Sequence, residues 1–220
     1  MDEQSSSDHL SSSLTDLMTS LMVIFILLLL VFLHRTAGKN IAVTDALLKT
    51  LQYDLVPHGF SEKDIQIDKK DRNAILVIVP NNLMGFELGK SDLRPEGEEF
   101  LRSRIPALAA VLCASEYRDS IESVVVEGHT DQYPWKGSTE AESQNLNLKL
   151  SQDRSMEVVK KTLESLDDNA TERGCLFEKL SASGRGEQDL GPTPEESRRV
   201  IFKIRVRADR AEEVQRKAAE

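Results

Sequence analysis

The sequence predicts an α/β protein of the α+β sandwich type that carries a single transmembrane helix near its N-terminus. Two features lead to this prediction. Residues 21–33 are thirteen apolar residues without interruption. Between residues 71 and 207, short runs rich in β-branched residues alternate with longer helical patterns, in the order βαβαββ. Such an alternation forms a sheet covered by helices.

The composition narrows the range of possible functions. The chain has 220 residues and a formal net charge of −9, which makes it a poor binder of polyanions, so we expect no direct nucleic-acid partner. Two cysteines, Cys113 and Cys175, are too few for a four-cysteine zinc site. Sequence alone leaves open whether they form a disulfide. No nucleophile, metal cluster or cofactor loop stands out. We therefore expect that the protein is not an enzyme and that it has no catalytic site, metal site or cofactor.

The apolar run is predicted to be a transmembrane helix at residues 14–35, after a short polar tail at 1–13. A bilayer core takes a helix of about 20 residues, and the polar members of the window 14–33 are Thr15, Asp16, Thr19 and Ser20. A cleaved signal peptide is the alternative, but residues 1–16 lack the Lys and Arg of a basic n-region. Arg35 and Lys39 follow the helix, and the positive-inside rule alone would leave the C-terminal part in the cytoplasm.

The rest of the chain divides into a linker at 36–70, a domain at 71–207 and a charged tail at 208–220. The linker contains an amphipathic helix at 41–56, which Pro57 and Gly59 end. Within the domain we predict strands at 74–79, 123–127, 177–183 and 199–206, and helices at 96–112 and 147–166. Pro106 lies inside the first of these helices and predicts a kink or a break there.

Asp16 is the first candidate functional residue. An ionisable residue inside a membrane span is costly and usually faces a protein interior or an aqueous path. The alternative is that Asp16 lies at the membrane interface and caps the start of the helix. Thr15, Thr19 and Ser20 share its helical turns, which is compatible with an ion path and equally with a helix–helix contact.

The second candidate site combines Asp131, directly after a predicted strand, with Arg154 in the next helix. A carboxylate and a guanidinium can together bind a zwitterion, the first taking an ammonium and the second a carboxylate. A structural salt bridge between the two is the alternative. His129 is adjacent, but no Ser or Cys is placed as a nucleophile, and we expect a structural role for it.

Four segments together resemble the OmpA-like peptidoglycan-binding domain. They are VVVEGHTD at 124–131, NxxLSxxR at 147–154, SGRGE at 183–187 and RRV at 198–200. The resemblance implies binding of the diaminopimelate group of the peptide stem. Asp131 would take its amino group, Arg154 its carboxylate, and Asn147 would shape the pocket. Thr130 and Leu150 match further positions of the same motifs.

Two further features resemble the B subunits of flagellar stators, the MotB-like proteins. An aromatic-Pro-aromatic insert, Tyr133-Pro134-Trp135, follows the Thr-Asp pair, and TDLMTSLM at 15–22 resembles the signature around the stators' ion-carrying Asp. This implies that Asp16 carries the ion, with Thr15, Thr19 and Ser20 along its path. The short acidic tail and short linker are more similar to the B subunit of the Zorya anti-phage defence motor.

These resemblances imply a homodimer inside a ring of polytopic MotA/ZorA-like subunits, in the inner membrane. The chain would be single-pass, with a cytoplasmic N-terminus and a periplasmic C-terminal domain bound to peptidoglycan. Ion flow past Asp16, with protons favoured over sodium, would drive rotation of the ring for anti-phage defence. A flagellar-type stator subunit and a passive membrane-tethered wall anchor are the alternatives. The helix at 41–56 would lie where stators carry a plug.

Overall fold

The computed structural model describes residues 3–207, apart from the side chains of residues 3–15 and 33–42. The chain divides into two compact units, Met1–Lys39 and Asn40–Glu220. The helices are α1 (Glu3–Leu55), α2 (Asn81–Met84), α3 (Pro95–Cys113), α4 (Glu140–Glu164), α5 (Ala170–Phe177) and α6 (Pro194–Ser197). The strands are β1 (Ile65–Ile67), β2 (Ala74–Pro80), β3 (Ile121–His129), β4 (Leu180–Gly186) and β5 (Arg199–Val206). The tail predicted at 208–220 and the Thr15 side chain lie outside the described residues.

The first unit is formed by the N-terminal part of α1. This helix begins at Glu3, inside the segment predicted as a polar tail. In the described part of the chain, no helix is both long enough and apolar enough to cross a membrane. The side chains of residues 16–32 are all exposed and most are large and apolar, for example Leu21 at 70% and Phe25 at 65% exposure. Exposed apolar surface of this extent is typical of a segment that contacts a membrane or another protein.

The second unit is built on a five-stranded mixed sheet with the order β1-β2-β5-β3-β4. Strands β3 and β4 are parallel, and the other neighbours are antiparallel. The predicted order βαβαββ is confirmed by β2, α3, β3, α4, β4 and β5. The short edge strand β1 and helix α5 were not predicted. Helix α5 takes up the start of the segment predicted as the third strand, which begins at Leu180 rather than at Phe177.

The hydrophobic core lies on one face of the sheet and includes the end of α1. Leu47, Leu51 and Leu55 recur every four residues and are fully buried, because this spacing places them on one side of the helix. They belong to the same cluster as Val77 and Phe202 of the central strands. Residues 40–70, which the sequence analysis assigned to a linker, therefore lie within the compact α/β unit.

Helix α3 continues through Pro106 without a break. A proline inside a helix removes one backbone hydrogen bond and typically costs about 3 kcal/mol. Here the loss is offset by burial, since Leu101, Ile105, Leu108 and Leu112 form a continuous apolar stripe with at most 1% exposure. The break that Pro106 predicted is therefore not observed.

The two cysteines are joined. Cys113 at the end of α3 and Cys175 in α5 form a disulfide, with their Cα atoms 6.1 Å apart. The bond closes a loop between residues separated by 62 positions. In the chain-entropy treatment, a loop of this size stabilises the folded state by about 4 kcal/mol. The disulfide therefore fastens α5 to the helical layer that covers the core.

Helix α4 lies unusually close to strands β3 and β4, because glycines face it. A Cβ atom added at Gly128 would lie 2.2 Å from the Ser151 carbonyl oxygen, and one at Gly184 would lie 2.6 Å from the Gln152 backbone nitrogen. The buried side of α4 carries small hydroxyls, and Ser151 and Ser155 donate to carbonyls of their own helix. Small side chains on α4 and glycines on β3 and β4 allow the backbones of the helix and the strands to approach closely.

We predict that Gly128→Ala destabilises the α/β unit, because its methyl group would meet backbone rather than a movable side chain. Overpacking of this kind typically costs about 1–3 kcal/mol, which should lower the thermal midpoint of the full-length protein by several degrees. Circular dichroism in detergent measures this midpoint. Gly174→Ala is the matched control, because a Cβ there meets nothing within 4 Å. An unchanged midpoint for Gly128→Ala would contradict the close packing.

Candidate functional site

The buried side of helix α4 carries polar side chains, and two of them are predicted site residues. The helix starts at a capping box, in which Thr139 accepts from the Glu142 amide and Glu142 accepts from the Thr139 amide. Asn147 and Arg154 lie on the same buried side as Ser151 and are each 4% exposed. A carboxamide and a guanidinium on a buried helix face are unusual, and each is held by specific partners.

The Arg154 guanidinium is held in one orientation by its contacts. Its Nε donates to the Lys90 carbonyl and its Nη2 to the Glu87 carbonyl, both at 2.9 Å. The guanidinium lies 5.0 Å above the Phe86 ring, a cation–π arrangement. None of the described residues accepts a hydrogen bond from Nη1. One edge of the guanidinium therefore keeps an unused donor.

Burial lowers the pKa of Arg154 to about 10, with the nearby charge of Asp131 opposing this effect and Arg198 adding to it. Removal from water disfavours the charged form of any base. A pKa near 10 still leaves the guanidinium charged at neutral pH, and its charge is poorly screened by solvent.

Asp131 lies just beyond the end of β3 and is 6% exposed. Its Oδ2 accepts from Arg198 Nη1 at 2.7 Å, and its Oδ1 accepts from the Tyr133 amide at 3.1 Å. Asp131 and Arg154 do not hydrogen-bond each other, although they interact electrostatically. The predicted pair is therefore brought together, but the direct salt bridge of Asp131 is to Arg198. We call these three side chains the Asp131–Arg154 site.

Asn147 joins three segments at the edge of this site. Its Oδ1 accepts from Trp135 Nε1 at 2.8 Å. Its Nδ2 donates to Glu187 Oε1 at 2.8 Å and, more weakly, to the Tyr133 carbonyl at 3.4 Å. Asn147 therefore holds the insert after Asp131 against the SGRGE segment, and its role in shaping a pocket stays a prediction.

The remaining motif residues occupy less central places. The Thr130 amide donates to the Gly186 carbonyl at 2.9 Å, while its buried hydroxyl has no partner among the described residues. Leu150 is half-buried on α4. His129 is buried, with Nδ1 3.1 Å from the Gln188 carbonyl, and this contact agrees with the structural role expected for it.

Asp16, Thr19 and Ser20 lie in the other compact unit, on α1, and all three are exposed. Thr19 Oγ1 donates to the Asp16 carbonyl at 2.9 Å, a contact within the helix. Helical spacing places these residues within adjacent turns, as the sequence predicted. Thr15 belongs to the same helix, but its side chain lies outside the described residues.

Sequence reasoning missed the partners that hold the two charges. Arg198 belongs to the RRV motif, from which no role for it follows, and in the structure it is the counterion of Asp131. Phe86 and the carbonyls of Glu87 and Lys90, which hold Arg154, lie between the predicted strand at 74–79 and the predicted helix at 96–112, where no site residue was predicted. Backbone acceptors leave no signal in a sequence. The sequence does contain one indication of a counterion for Asp131, which is the pair of arginines, Arg198 and Arg199, at the start of a buried strand.

A separate cavity of about 690 Å³ lies on the face of the sheet opposite to the hydrophobic core. Its floor includes Leu76, Ile78 and Ile201, and neither Asp131 nor Arg154 lines it. Charges of both signs surround it, and Lys203 pairs with Asp68 at 2.6 Å. His129 Nε2 and Arg185 Nε, buried without a hydrogen-bond partner among the described residues, belong to residues that line this cavity. Asp131 and Arg154 instead combine opposite charges at 6% and 4% exposure with an unused guanidinium donor, which is the stronger indication of a binding site. We therefore place the candidate site at Asp131 and Arg154.

The single tryptophan reports on the geometry of the insert. We predict that Asn147→Ala shifts the Trp135 emission maximum to longer wavelength and increases acrylamide quenching, because the indole loses its hydrogen bond and its support. Steady-state fluorescence of the full-length protein measures both. Asn145→Ala is the matched control, since Asn145 is exposed on the same helix. Equal spectra for the two variants would show that Asn147 does not hold the insert.

No family model matches the chain. The chain is 27% identical over 217 residues to the Zorya protein ZorB of Escherichia coli, covering 90% of this chain and 88% of ZorB. A putative MotB-like protein from Desulfovibrio vulgaris is 21% identical, with a TM-score of 0.53, covering 76% of this chain and 96% of that structure. The cell wall anchor of the T6SS from Pseudomonas aeruginosa is 20% identical, with a TM-score of 0.45, covering 73% and 97%.

The similarity to ZorB covers a larger share of the chain than the unit Asn40–Glu220 alone. The similarity to the MotB-like protein concerns the fold, which the mixed sheet and its helices share. The chain is therefore similar to ZorB along nearly its whole length, and its α/β unit has the fold of MotB-like proteins, which confirms the resemblance that the motifs indicated.

Proposed function

We propose that this chain is the B subunit of an ion-driven inner-membrane motor, that it is anchored to peptidoglycan, and that it acts in anti-phage defence. The observation that carries this proposal is the similarity to the Zorya protein ZorB over 90% of the chain. The Asp131–Arg154 site supports the anchoring part of the proposal. The exposed apolar helix with Asp16 supports the membrane part.

The Asp131–Arg154 site suits the end of a diaminopimelate side chain, which carries an ammonium and a carboxylate on one carbon. Arg154 is fixed by two backbone carbonyls and keeps Nη1 for the ligand carboxylate. Asp131 would accept from the ammonium and share its charge with Arg198. Before the ligand arrives, two guanidiniums surround one carboxylate. The ligand carboxylate would pair with Arg154 while the ligand ammonium pairs with Asp131, so that each buried charge gains an opposite charge.

The membrane part assigns residues 14–35 to a single span, with the N-terminus in the cytoplasm and the α/β unit in the periplasm. The exposed apolar side chains of residues 17–32 support contact with lipid or with membrane helices of a partner. The Cys113–Cys175 disulfide supports an oxidising compartment for the α/β unit. This topology runs against the charge asymmetry of Arg35 and Lys39, a rule that large translocated domains often override.

Asp16 would carry the coupling ion, preferably a proton, with Thr15, Thr19 and Ser20 lining its path. Protonated Asp16 is neutral and tolerates an apolar neighbour, whereas ionised Asp16 seeks a polar partner. Alternation between these states would step a surrounding ring of polytopic MotA/ZorA-like subunits around a dimer of this chain. The wall anchor would supply the reaction force, because an unfixed B dimer would turn with the ring.

The helix at 41–56 is better explained by packing than by a plug. Val43, Leu47, Leu51 and Leu55 are at most 5% exposed and belong to the core of the α/β unit. A plug role would require these side chains to leave the core, at a cost of about 1.5–3 kcal/mol for each large apolar side chain exposed.

The test is phage plating on cells that express this chain with its neighbouring partner genes. We expect Asp16→Asn to abolish protection, because the change keeps side-chain size and removes the titrating group. Arg154→Lys should also abolish it, since lysine cannot hold both carbonyls and a ligand carboxylate. Asp45→Asn is the matched control, because Asp45 is exposed on the same helix. Immunoblots of membranes verify equal expression.

The alternatives give different results in the same assay. Full protection by Asp16→Asn, with loss in Arg154→Lys, would leave a passive membrane-tethered wall anchor. Absence of protection by the wild type, together with restored swimming in a stator-deleted strain, would favour the flagellar-type subunit.

A further inference from the structure

The insert that follows Asp131 is held by its backbone and by one indole, which leaves the Tyr133 ring free. The Tyr133 amide donates to Asp131, and its carbonyl accepts from Asn147 at 3.4 Å. The Trp135 amide donates to Ser143 Oγ at 3.0 Å, and its indole donates to Asn147 at 2.8 Å. These bonds fix the insert without any contribution from the tyrosine side chain.

Tyr133 nevertheless presents its ring to solvent, with 61% exposure. None of the described residues stacks on this ring or bonds its hydroxyl. An exposed aromatic ring on a fixed backbone loses little entropy when it contacts a ligand. The ring therefore has no evident structural purpose but is well suited to binding.

A second exposed apolar side chain lies on the loop that holds Arg154. Leu88 is 83% exposed and lies between Glu87 and Lys90, the two residues whose carbonyls accept from Arg154. This loop meets the insert, because a Cβ on Gly89 would lie 3.4 Å from the Trp135 ring. Asp131 and Arg154 are thus each supported by a loop that carries an exposed side chain, Tyr133 beside Asp131 and Leu88 beside Arg154. We call Leu88 and Tyr133 the rim.

Chain reach indicates which part of a peptidoglycan ligand the rim would meet. The Tyr133 amide bonds the Asp131 carboxylate directly, so the ring starts within a few ångströms of the ligand ammonium. A diaminopimelate side chain is about as long as one or two extended residues, each spanning about 3.5 Å. Stem residues next to diaminopimelate would therefore come within reach of the ring. The sugar to which the stem is attached lies further residues away.

We propose that Leu88 and Tyr133 are specificity-determining residues, which pack against the peptide groups and aliphatic portions of the stem residues that precede diaminopimelate. This inference rests on the proposed binding of the stem at the Asp131–Arg154 site. It predicts that the site binds diaminopimelate more tightly within a stem peptide than as the free amino acid. Asp131 and Arg154 would bind the diaminopimelate group, and the rim would favour a stem peptide over the free amino acid.

Calorimetric titration of the full-length protein in detergent tests the inference with three probes. They are free meso-diaminopimelate, the tripeptide L-Ala-γ-D-Glu-meso-diaminopimelate, and the same tripeptide on its disaccharide. We expect Tyr133→Ala to leave the affinity for free diaminopimelate unchanged. It should weaken tripeptide binding by about two- to tenfold, the range of one aromatic contact. Leu88→Ala should act in the same direction, and Tyr133→Phe should retain wild-type binding.

Tyr53→Ala is the matched control, because Tyr53 is 82% exposed on α1. Unchanged tripeptide affinity in Tyr133→Ala, or a loss that includes free diaminopimelate, would overturn the inference. A loss confined to the disaccharide probe would also overturn it and assign the ring to a sugar. Arg154→Lys should weaken all three probes. Failure of the wild type to bind any probe would instead refute the proposed function.

Discussion

The close approach of helix α4 to strands β3 and β4 is the constraint on which the site depends. Gly128 and Gly184 remove the side chains that would hold the helix away, and the Ser151 hydroxyl accepts from the Gly186 amide at 2.8 Å. The helix therefore lies directly on the strand ends. Asn147 and Arg154, one turn before and one turn after Ser151, are carried into reach of Asp131. A larger residue at either glycine would separate the two halves of the site.

This packing forces charge into a poorly solvated place, and the structure compensates for it locally. Arg154 has two carbonyls and an aromatic face, and Asp131 has Arg198 and a backbone amide. Buried charged groups of this kind are weak contributors to stability even when they are paired. Their presence is consistent with the proposed binding role, because the fixed guanidinium keeps one donor unused. The burial that lowers the pKa of Arg154 also strengthens its attraction for a carboxylate.

Local patterns in the sequence predicted the order of strands and helices along the chain, whereas the roles of Asp131, Asn147 and Arg154 were implied by motifs that resemble the OmpA-like domain. The predictions of strands and helices used spacing within about twenty residues, where periodicity and turn residues are informative. The salt bridge from Asp131 to Arg198 spans 67 positions, and the contact of Leu47 and Leu51 with the distant strands is also long-range. Neither has a local signature. The amphipathic pattern predicted at 41–56 is present, but it forms the end of the continuous helix α1, which ends at Leu55. Its apolar face gave no information about which surface it covers.

The most direct measurement compares cosedimentation of the full-length protein with two kinds of peptidoglycan. In one the stem contains diaminopimelate, and in the other lysine replaces it. Lysine keeps the terminal ammonium and lacks the carboxylate, so it offers a partner to Asp131 and none to Arg154. We predict binding to the diaminopimelate form and a loss of at least tenfold with the lysine form, the scale of one charge-assisted pair. Equal binding to both forms would contradict recognition of the stem by the Asp131–Arg154 site.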